Sequence, residues 1–399
     1  MSCRNFNRAL VRNFAPPWLG LAGQAIRWYT DGSKRKQIST LFMDPGEESL
    51  PGQPSTVKSD ELALKADEKL SQTLVDTPSL NDLHTQLDDA SQLAHFQQKD
   101  PEAQRKVPGT FEFPEGKKRY RLEVQFLGTK YYGWQRRALK ATLPTVQDAL
   151  EDTISAACDC NQVEIIGSTL LEAGIHCRNM TCHVDMDAKL EMPSQRVILQ
   201  RCEKWLAKRG ESIGVLSFNS ACPGFHARFC AQRRTYVYRI LNRIAPPLMD
   251  GKEMQWHVDR ALNTKKMAEA AAVLQGTFDF SGFADHGIAR LLAHKGESFP
   301  VRTLENIQVV RQADEVLIWF MGQSFLRHQI RNIVSCLHMV GLGLWTTDDI
   351  LFILDRSFVK GRARDRTRPP TAPPCGLTLW EVSYDQSMYP RPEEYVQEM

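Results

Sequence analysis

Hydrophobic and polar residues alternate along several short stretches of this 399-residue chain, and a period of two predicts β-strands that bury one face. In the clearest case, Tyr120, Leu122, Val124 and Phe126 occupy every second position. Alternation and short apolar runs predict further strands at 163–166, 181–186, 213–218, 304–311, 316–322 and 377–382.

Apolar residues recur at helical spacing between these predicted strands. Val146, Leu150, Ile154 and Ala157 follow Thr145, a residue type favoured at helix N-caps. Further helices are predicted over 193–208, over 265–274, over a long apolar stretch that opens at 324 and reaches 345, and over 347–355. Mixed strands and helices predict an α/β (α+β) fold that begins near residue 117.

Two segments before the predicted fold differ from it in charge. Residues 1–37 contain seven Lys or Arg and one acid, with apolar residues among the arginines. This composition predicts a mitochondrial transit peptide and a matrix location, with a basic arm that touches nucleic acid as the alternative. Residues 38–110 carry thirteen acids and six bases. We therefore expect 38–116 to be a mostly disordered extension or linker, in which 61–74 could form a helix.

The sequence does not suggest a membrane span or a metal centre. No run reaches the roughly 18 apolar residues that a membrane span needs. The ten cysteines form no C-x-x-C pair, which is typical of a reducing compartment. His176 and Cys177 precede Cys182 and His183, but neighbours on a strand face opposite ways. We therefore predict no metal site.

The most informative stretch is the loop 167–176, which lies between the predicted strands at 163–166 and 181–186. It reads GSTLLEAGIH and places a single carboxylate, Glu172, between two glycines. Gly and Ser in such a pattern indicate a tight loop at the end of a strand. A lone glutamate in a loop is ordinarily just solvated, so its significance depends on the motifs around it.

Further motifs accompany this loop in a fixed order. They are GTKYYGWQRR at 128–137, FHARF at 225–229, RTYVYRI at 234–240, FDFSGF at 278–283, FLRHQIRNIV at 325–334 and PCGL at 374–377. Together with the loop they resemble the motifs of the TruA-type pseudouridine synthases, and the resemblance covers about 117–385. It implies two subdomains, split near 225–260, whose antiparallel sheets are flanked by helices and join at a central RNA-binding cleft. Residues 386–399 then form a C-terminal tail.

The resemblance also implies a reaction and three site residues. Pseudouridine formation breaks the bond between ribose and N1 of uracil, turns the base and rejoins it through C5. Glu172 stands at the position of the catalytic carboxylate, Tyr236 at that of the ring that stacks on the base, and Arg331 at that of the partner of the carboxylate. The family implies no metal and no cofactor.

The chain departs from the family pattern at the cleft. Glu172 replaces an Asp, Leu170 replaces an Arg and Leu127 replaces an Asp, while the N-x-x-L-P interval is absent. An extra methylene can move a carboxylate by about 1 Å, and a displacement of that order can cost ~10²-fold in rate. The first expectation is therefore a catalytically inactive protein that holds RNA during mitochondrial rRNA or ribosome assembly.

Two other functions remain open. One is an active pseudouridine synthase on mitochondrial tRNA or rRNA, with Glu172 as a repositioned catalytic acid. The other is a protein-binding scaffold that docks a partner through 38–110 and has no affinity for RNA. Formation of pseudouridine would distinguish the active enzyme from the inactive RNA-holding protein. Absence of RNA binding would distinguish the protein-binding scaffold from both.

Basic residues beside the motifs are the candidates for RNA contact. The net charge of the predicted folded region is too small to argue for non-specific binding, so the prediction depends on their placement. The candidate RNA-binding residues are Lys130, Arg136, Arg137, Leu170, His176, Arg228, Arg233, Arg234 and Arg327. The expected partners are structured mitochondrial rRNA or tRNA, assembly proteins of the mitochondrial ribosome through 38–116, and a second copy of the chain, but no membrane.

Overall fold

The computed structural model describes residues 111, 113–136, 143–247, 251–285, 300–356 and 369–388. The predicted transit peptide, most of the acidic extension with its helix at 61–74, Arg137 and most of the tail at 386–399 lie outside these residues. Predictions for those segments therefore stay predictions.

Ten strands within the described residues form one sheet. They are β1 (Lys117–Phe126), β2 (Ile165–Gly167), β3 (His176–Asp187), β4 (Ile213–Ser220), β5 (Arg233–Asn242), β6 (Trp256–Val258), β7 (Gly276–Asp279), β8 (Val301–Gln312), β9 (Glu315–Gly322) and β10 (Leu377–Ser383). Each predicted strand corresponds to one of these. β3 begins five residues before the prediction because its first residues pair with β10 and β1, contacts that no local pattern encodes.

Five α-helices accompany the sheet in the described part of the chain. They are α1 (Val146–Ala157), α2 (Gln195–Arg209), α3 (Thr264–Ala272), α4 (Gln329–Gly341) and α5 (Thr347–Arg356). The predicted N-cap of α1 is present, since the Thr145 hydroxyl accepts a hydrogen bond of 3.2 Å from the Asp148 amide. No helix among the described residues is long and apolar enough to cross a membrane. The predicted mixed α/β class is confirmed.

The strand order is β4-β1-β3-β10-β5-β9-β8-β7, with β2 paired to β3 and β6 to β5. The last strand, β10, occupies the middle, because it runs parallel to β3 and antiparallel to β5. It joins the strands that α2 covers to those that α3 covers. This central position brings the loop before β3 close to the side chains of β5.

The core lies between the sheet and its helices. Leu122 on β1, Leu150 on α1 and Ile333 on α4 are fully buried in one apolar cluster. Tyr238 on β5 is also buried, and its hydroxyl donates a 2.7 Å hydrogen bond to the carbonyl of Pro373. This bond anchors the segment that leads into β10 to the centre of the sheet.

Candidate active site

A cleft of about 460 Å³ lies where β5, the 168–175 loop and the segment before α4 meet. Its size falls within the ~300–1,000 Å³ range typical of ligand sites. Of the predicted site residues, the cleft brings together Leu170, Glu172, Arg228, Arg234, Tyr236, Arg327 and Arg331.

The aromatic turn after β1 packs against the loop that carries Glu172 and supports it. The Trp134 amide donates a 2.9 Å hydrogen bond to the carbonyl of Leu171, and both side chains are buried. Gly133, with φ +97°, allows this close approach, because a Cβ there would lie 2.7 Å from the Leu171 carbonyl oxygen. The turn therefore fixes the backbone on which Glu172 stands.

Gly133→Ala is expected to destabilise the fold more than Gly210→Ala does. Both glycines have a positive φ, but Gly210 has open space around its Cβ position. Gly210→Ala should carry only the conformational cost, about 1–2 kcal/mol, whereas Gly133→Ala must also displace Leu171. Urea unfolding of the two variants measures the difference, and equal losses would contradict the close packing of the turn against the loop.

Both carboxylate oxygens of Glu172 are occupied. Oε1 accepts a 3.0 Å hydrogen bond from the backbone amide of His328. Oε2 lies 2.6 Å from Nη1 of Arg331 and 3.1 Å from Nε2 of His328. The extra methylene thus places the carboxylate of Glu172 within reach of its expected partner, and the side chain keeps 19% of its surface exposed to the cleft.

These contacts keep Glu172 ionised. Burial alone would raise its pKa, but the hydrogen bond from His328 and the positive charges of His328, Arg331 and Arg327 lower the pKa to about 2. An ionised carboxylate with one face open to a cleft can act as a nucleophile or stabilise a developing positive charge.

His328 has an unusual backbone that serves this contact. Its φ of +62° is left-handed, a conformation that costs a non-glycine residue on the order of 1–3 kcal/mol and that clusters at functional sites. It also stops the helix from starting earlier, so α4 begins at Gln329 and not at 324, where the motif opens. On the other side of the ring, Nδ1 lies 2.9 Å from Oδ2 of the buried Asp285.

The predictions from sequence did not include His328 and Asp285. His328 stood in the 325–334 motif, but the motif was interpreted as the start of a helix, where a histidine carries no special signal. Asp285 follows the FDFSGF motif by two residues and has no pattern of its own. Glu172 and Asp285 are far apart in the sequence, and only the fold places the ring of His328 between the two acids.

Tyr236 lies beside Glu172 at the floor of the cleft. Its hydroxyl is 3.4 Å from the Thr169 hydroxyl, and its ring meets Phe325 edge to face, with 5.2 Å between centroids. Burial raises the pKa of Tyr236, so the phenol stays neutral at physiological pH. The Tyr236 ring, which is 5% exposed, and the ionised carboxylate of Glu172 thus line the same cleft.

The cleft arginines have different tasks. Arg234 is buried and donates to three backbone carbonyls, at Ser168 (2.6 Å), at Arg228 (3.1 Å) and at Gln323. It therefore holds the loops around the cleft together. Burial and the neighbouring Arg234 lower the pKa of Arg228 to about 10, which still leaves Arg228 charged at neutral pH. Arg327 and Arg228 line the cleft and are half-buried, and they are the better candidates for phosphate contact.

Three predicted RNA-binding residues lie away from the cleft. Lys130 is exposed at the end of a short 3₁₀ helix, Gly128–Lys130. Arg136 is paired with Asp148 and Glu151 of α1, and Arg233 is paired with Glu305 of β8. Arg136 and Arg233 thus contact protein carboxylates while 44% of each side chain stays exposed, and their predicted contact with RNA stays a prediction.

The structure does not support the prediction that His176 contacts RNA. It is 1% exposed, its Nδ1 accepts a 3.2 Å hydrogen bond from the Gly128 amide, and its Nε2 lies 2.8 Å from the Glu253 carbonyl oxygen. The ring therefore joins two backbone segments beneath the loop. An imidazole with both nitrogens engaged and no exposed surface cannot contact RNA.

Leu170 lines the cleft and packs partly against the core. It presents an apolar surface beside Glu172 where the family has a cation. Apolar side chains can act as wedges between stacked bases, so this position can still contact an unstacked nucleic acid, without a charge contact to phosphate.

No group of three or more His, Cys, Asp or Glu side chains with metal-binding geometry occurs within the described ranges. Of the four His and Cys residues weighed as ligands in the sequence, Cys177 and Cys182 are buried free thiols, and burial raises their pKa well above the ordinary value. They act as small core residues in this environment.

The cleft thus combines an ionised carboxylate, a tyrosine and buried or half-buried arginines on a mixed sheet, which five helices accompany in the described part of the chain. Residues 270–385 match a family model described as tRNA pseudouridine synthase. The chain is 36% identical to tRNA pseudouridine synthase A of Bartonella henselae over 267 residues, 67% of this chain and 99% of that protein. It is 38% identical to the enzyme of the same name from Caulobacter vibrioides, over 67% of this chain and 98% of that protein.

The protein of this name from Methylobacterium nodulans is 36% identical over 275 residues, 69% of this chain and 99% of that protein. The chain therefore belongs to the TruA family of pseudouridine synthases. This result confirms the family that the sequence motifs indicated.

Proposed function

We propose that this protein is an active pseudouridine synthase that isomerises uridine in tRNA, with Glu172 as its catalytic carboxylate. The observation that carries the proposal is the position of Glu172, held 2.6 Å from Arg331 in the cleft that Tyr236 lines. The similarity to proteins named tRNA pseudouridine synthase A supports tRNA as the substrate. These observations favour an active enzyme over the inactive RNA-holding protein that was our first expectation.

Each site residue has a role in the proposed reaction. A uridine must leave its stack to enter the cleft, where the ring of Tyr236 can stack on the base. Glu172, ionised at neutral pH, then faces the sugar or the base as the bond between C1′ and N1 breaks. Arg331 holds the carboxylate in place. When C1′ bonds to C5, the C5 hydrogen leaves as a proton and N1 gains one from water, so the reaction is a net isomerisation.

Release of tritium from RNA labelled at C5 of uridine tests this proposal. The full chain should release tritium from unmodified tRNA transcripts faster than from rRNA fragments of similar length. Tight binding of either RNA without release would favour the RNA-holding function, in which the protein assists rRNA or ribosome assembly. No binding and no release would favour the protein-binding scaffold.

We also propose a mitochondrial matrix location, which depends only on the basic, acid-poor composition of 1–37. A fluorescent protein fused behind residues 1–37 should enter mitochondria. The same fusion with Arg4, Arg8 and Arg12 replaced by Glu should remain outside. Equal distribution of both fusions would count against a transit peptide and for a basic arm.

A further inference from the structure

We propose that His328 and Asp285 are positioning residues, a charged pair that fixes Glu172 in its reactive orientation and makes catalysis depend on one proton of His328. The inference rests on the proposed function where it concerns activity. The protonation state of His328 can be measured without any reaction.

The first observation is that both ring nitrogens of His328 face a carboxylate. Nδ1 lies 2.9 Å from Oδ2 of Asp285, and Nε2 lies 3.1 Å from Oε2 of Glu172. A neutral imidazole has only one N–H, whereas an imidazolium has two. Both contacts are hydrogen bonds only when His328 carries its second proton, since ionised carboxylates cannot donate.

The second observation is that the backbone and the ring of His328 act on the same carboxylate. The left-handed backbone turns the amide toward Oε1 of Glu172 at 3.0 Å, while the ring reaches Oε2. Arg331 approaches Oε2 from α4 at 2.6 Å. Together they restrict both translation and rotation of the carboxylate, and such positioning of a reacting group raises the rate of a bound substrate.

The charges around His328 come from three segments. Glu172 lies on the loop before β3, Asp285 on the segment after β7, and Arg327 and Arg331 flank the start of α4. The Asp285 amide also donates a 3.0 Å hydrogen bond to the carbonyl of Arg327, which holds the two segments together. The two acids outweigh the effect of burial and raise the pKa of His328.

Loss of the proton from His328 has a defined consequence. Asp285 is the more buried acid, with 8% of its side chain exposed against 19% for Glu172, and it is nearer to the ring. The remaining proton should therefore stay on Nδ1, next to Asp285. The lone pair of Nε2 then faces Oε2 of Glu172 and repels it, so the carboxylate loses one of its fixed contacts.

The direction of the pH dependence follows from the raised pKa. The contact is fully formed below about pH 6.5, the ordinary histidine pKa, and is lost as the pH rises through the higher pKa of His328. Activity should therefore fall on the alkaline side, in kcat more than in KM for RNA. Glu172 does not titrate in this window, because its pKa is about 2.

Asp285→Asn tests the pair directly. With histidine labelled at ¹³Cε1, NMR titration of the full chain should give a His328 midpoint above about 6.5. In Asp285→Asn the midpoint should fall by about one pH unit or more, since an adjacent opposite charge moves a pKa by ~1–3. Asp314→Asn is the control for the loss of an acid elsewhere in the chain, because Asp314 is an exposed acid that pairs with Arg243 at 3.3 Å outside the cleft.

Glu172→Gln is the second variant, and it should also lower the His328 midpoint. Identical midpoints in the wild type and in whichever of the two variants folds would overturn the inference. The activity test follows: the alkaline limb of tritium release should move to lower pH in Asp285→Asn and stay in place in Asp314→Asn. Shifted midpoints without any tritium release in the wild type would preserve the charged pair and reject the proposed function.

Discussion

Replacing Glu172 by Gln is expected to abolish pseudouridine formation while RNA binding changes only a few-fold. Glutamine keeps the length of the side chain but carries no charge, so it can neither act as a nucleophile nor stabilise a positive charge. The loss should reach about 10³-fold or more, the scale on which removal of one acting group lowers catalysis. Tritium release and filter binding on the same tRNA measure the two effects.

Glu269→Gln serves as the control for this prediction. Glu269 is an exposed carboxylate on α3 and does not line the cleft, so its replacement should leave both measurements unchanged. Full release by Glu172→Gln would show that the carboxylate is not the catalytic group. Loss of RNA binding in parallel with release would instead assign Glu172 to folding or to recognition.

The second large effect is expected for Arg331→Met, which removes the shortest contact of Glu172. The free energy of unfolding should fall by about 2 kcal/mol, less than the ~3–5 kcal/mol seen when a fully buried pair is broken, because Glu172 is partly exposed and keeps His328. Activity should fall by ~10²-fold or more, since a carboxylate free to rotate loses its orientation. Urea unfolding and tritium release are the measurements.

Arg239→Met is the matched control for Arg331→Met. Arg239 pairs with Glu315 at 2.8 Å, and the two side chains are 17% and 21% exposed, close to the 13% and 19% of Arg331 and Glu172. The control should lower stability comparably and leave catalysis intact. Equal loss of activity in both arginine variants would mean that only stability was affected.

The double variant Glu172→Gln with Arg331→Met should recover part of the stability lost in Arg331→Met, because no charge is then left unpaired, but none of the activity.

Local structure was accessible from the sequence because it depends on local patterns. The alternation at 120–126 and the Thr145 cap predicted β1 and α1, and both are present. The extra residues of β3 and the central position of β10 were not predicted, because strand pairing between distant segments leaves no periodic signal. The motifs supplied the contact between Glu172 and Arg331 through the family resemblance alone.

The cations illustrate a different limit. Arg233 and Arg234 are neighbours on a strand, and alternation already implies that only one of them faces the cleft. The structure places Arg234 there and pairs Arg233 with Glu305. The pairing of Arg136 with α1 could not be predicted, because it depends on how the turn folds back on the helix.

The structure also explains how the cleft accommodates residues that differ from the family pattern. Glu172 was expected to misplace its carboxylate, yet the left-handed backbone of His328 and the reach of Arg331 accommodate the longer side chain. Leu170 carries no charge, and its apolar side chain lines the cleft and packs partly against the core. The lining of the cleft thus differs from the family pattern at Leu170, whereas the contact between the carboxylate at 172 and Arg331 is present.

The most direct test of an active Glu172 is pseudouridine mapping of mitochondrial tRNA and rRNA in cells that lack this protein. We predict that a tRNA site disappears on depletion, returns with the wild-type chain and does not return with Glu172→Ala at equal abundance. An unchanged set of sites, with ribosome assembly rescued equally by both chains, would contradict the account and identify the fold as an RNA-holding scaffold.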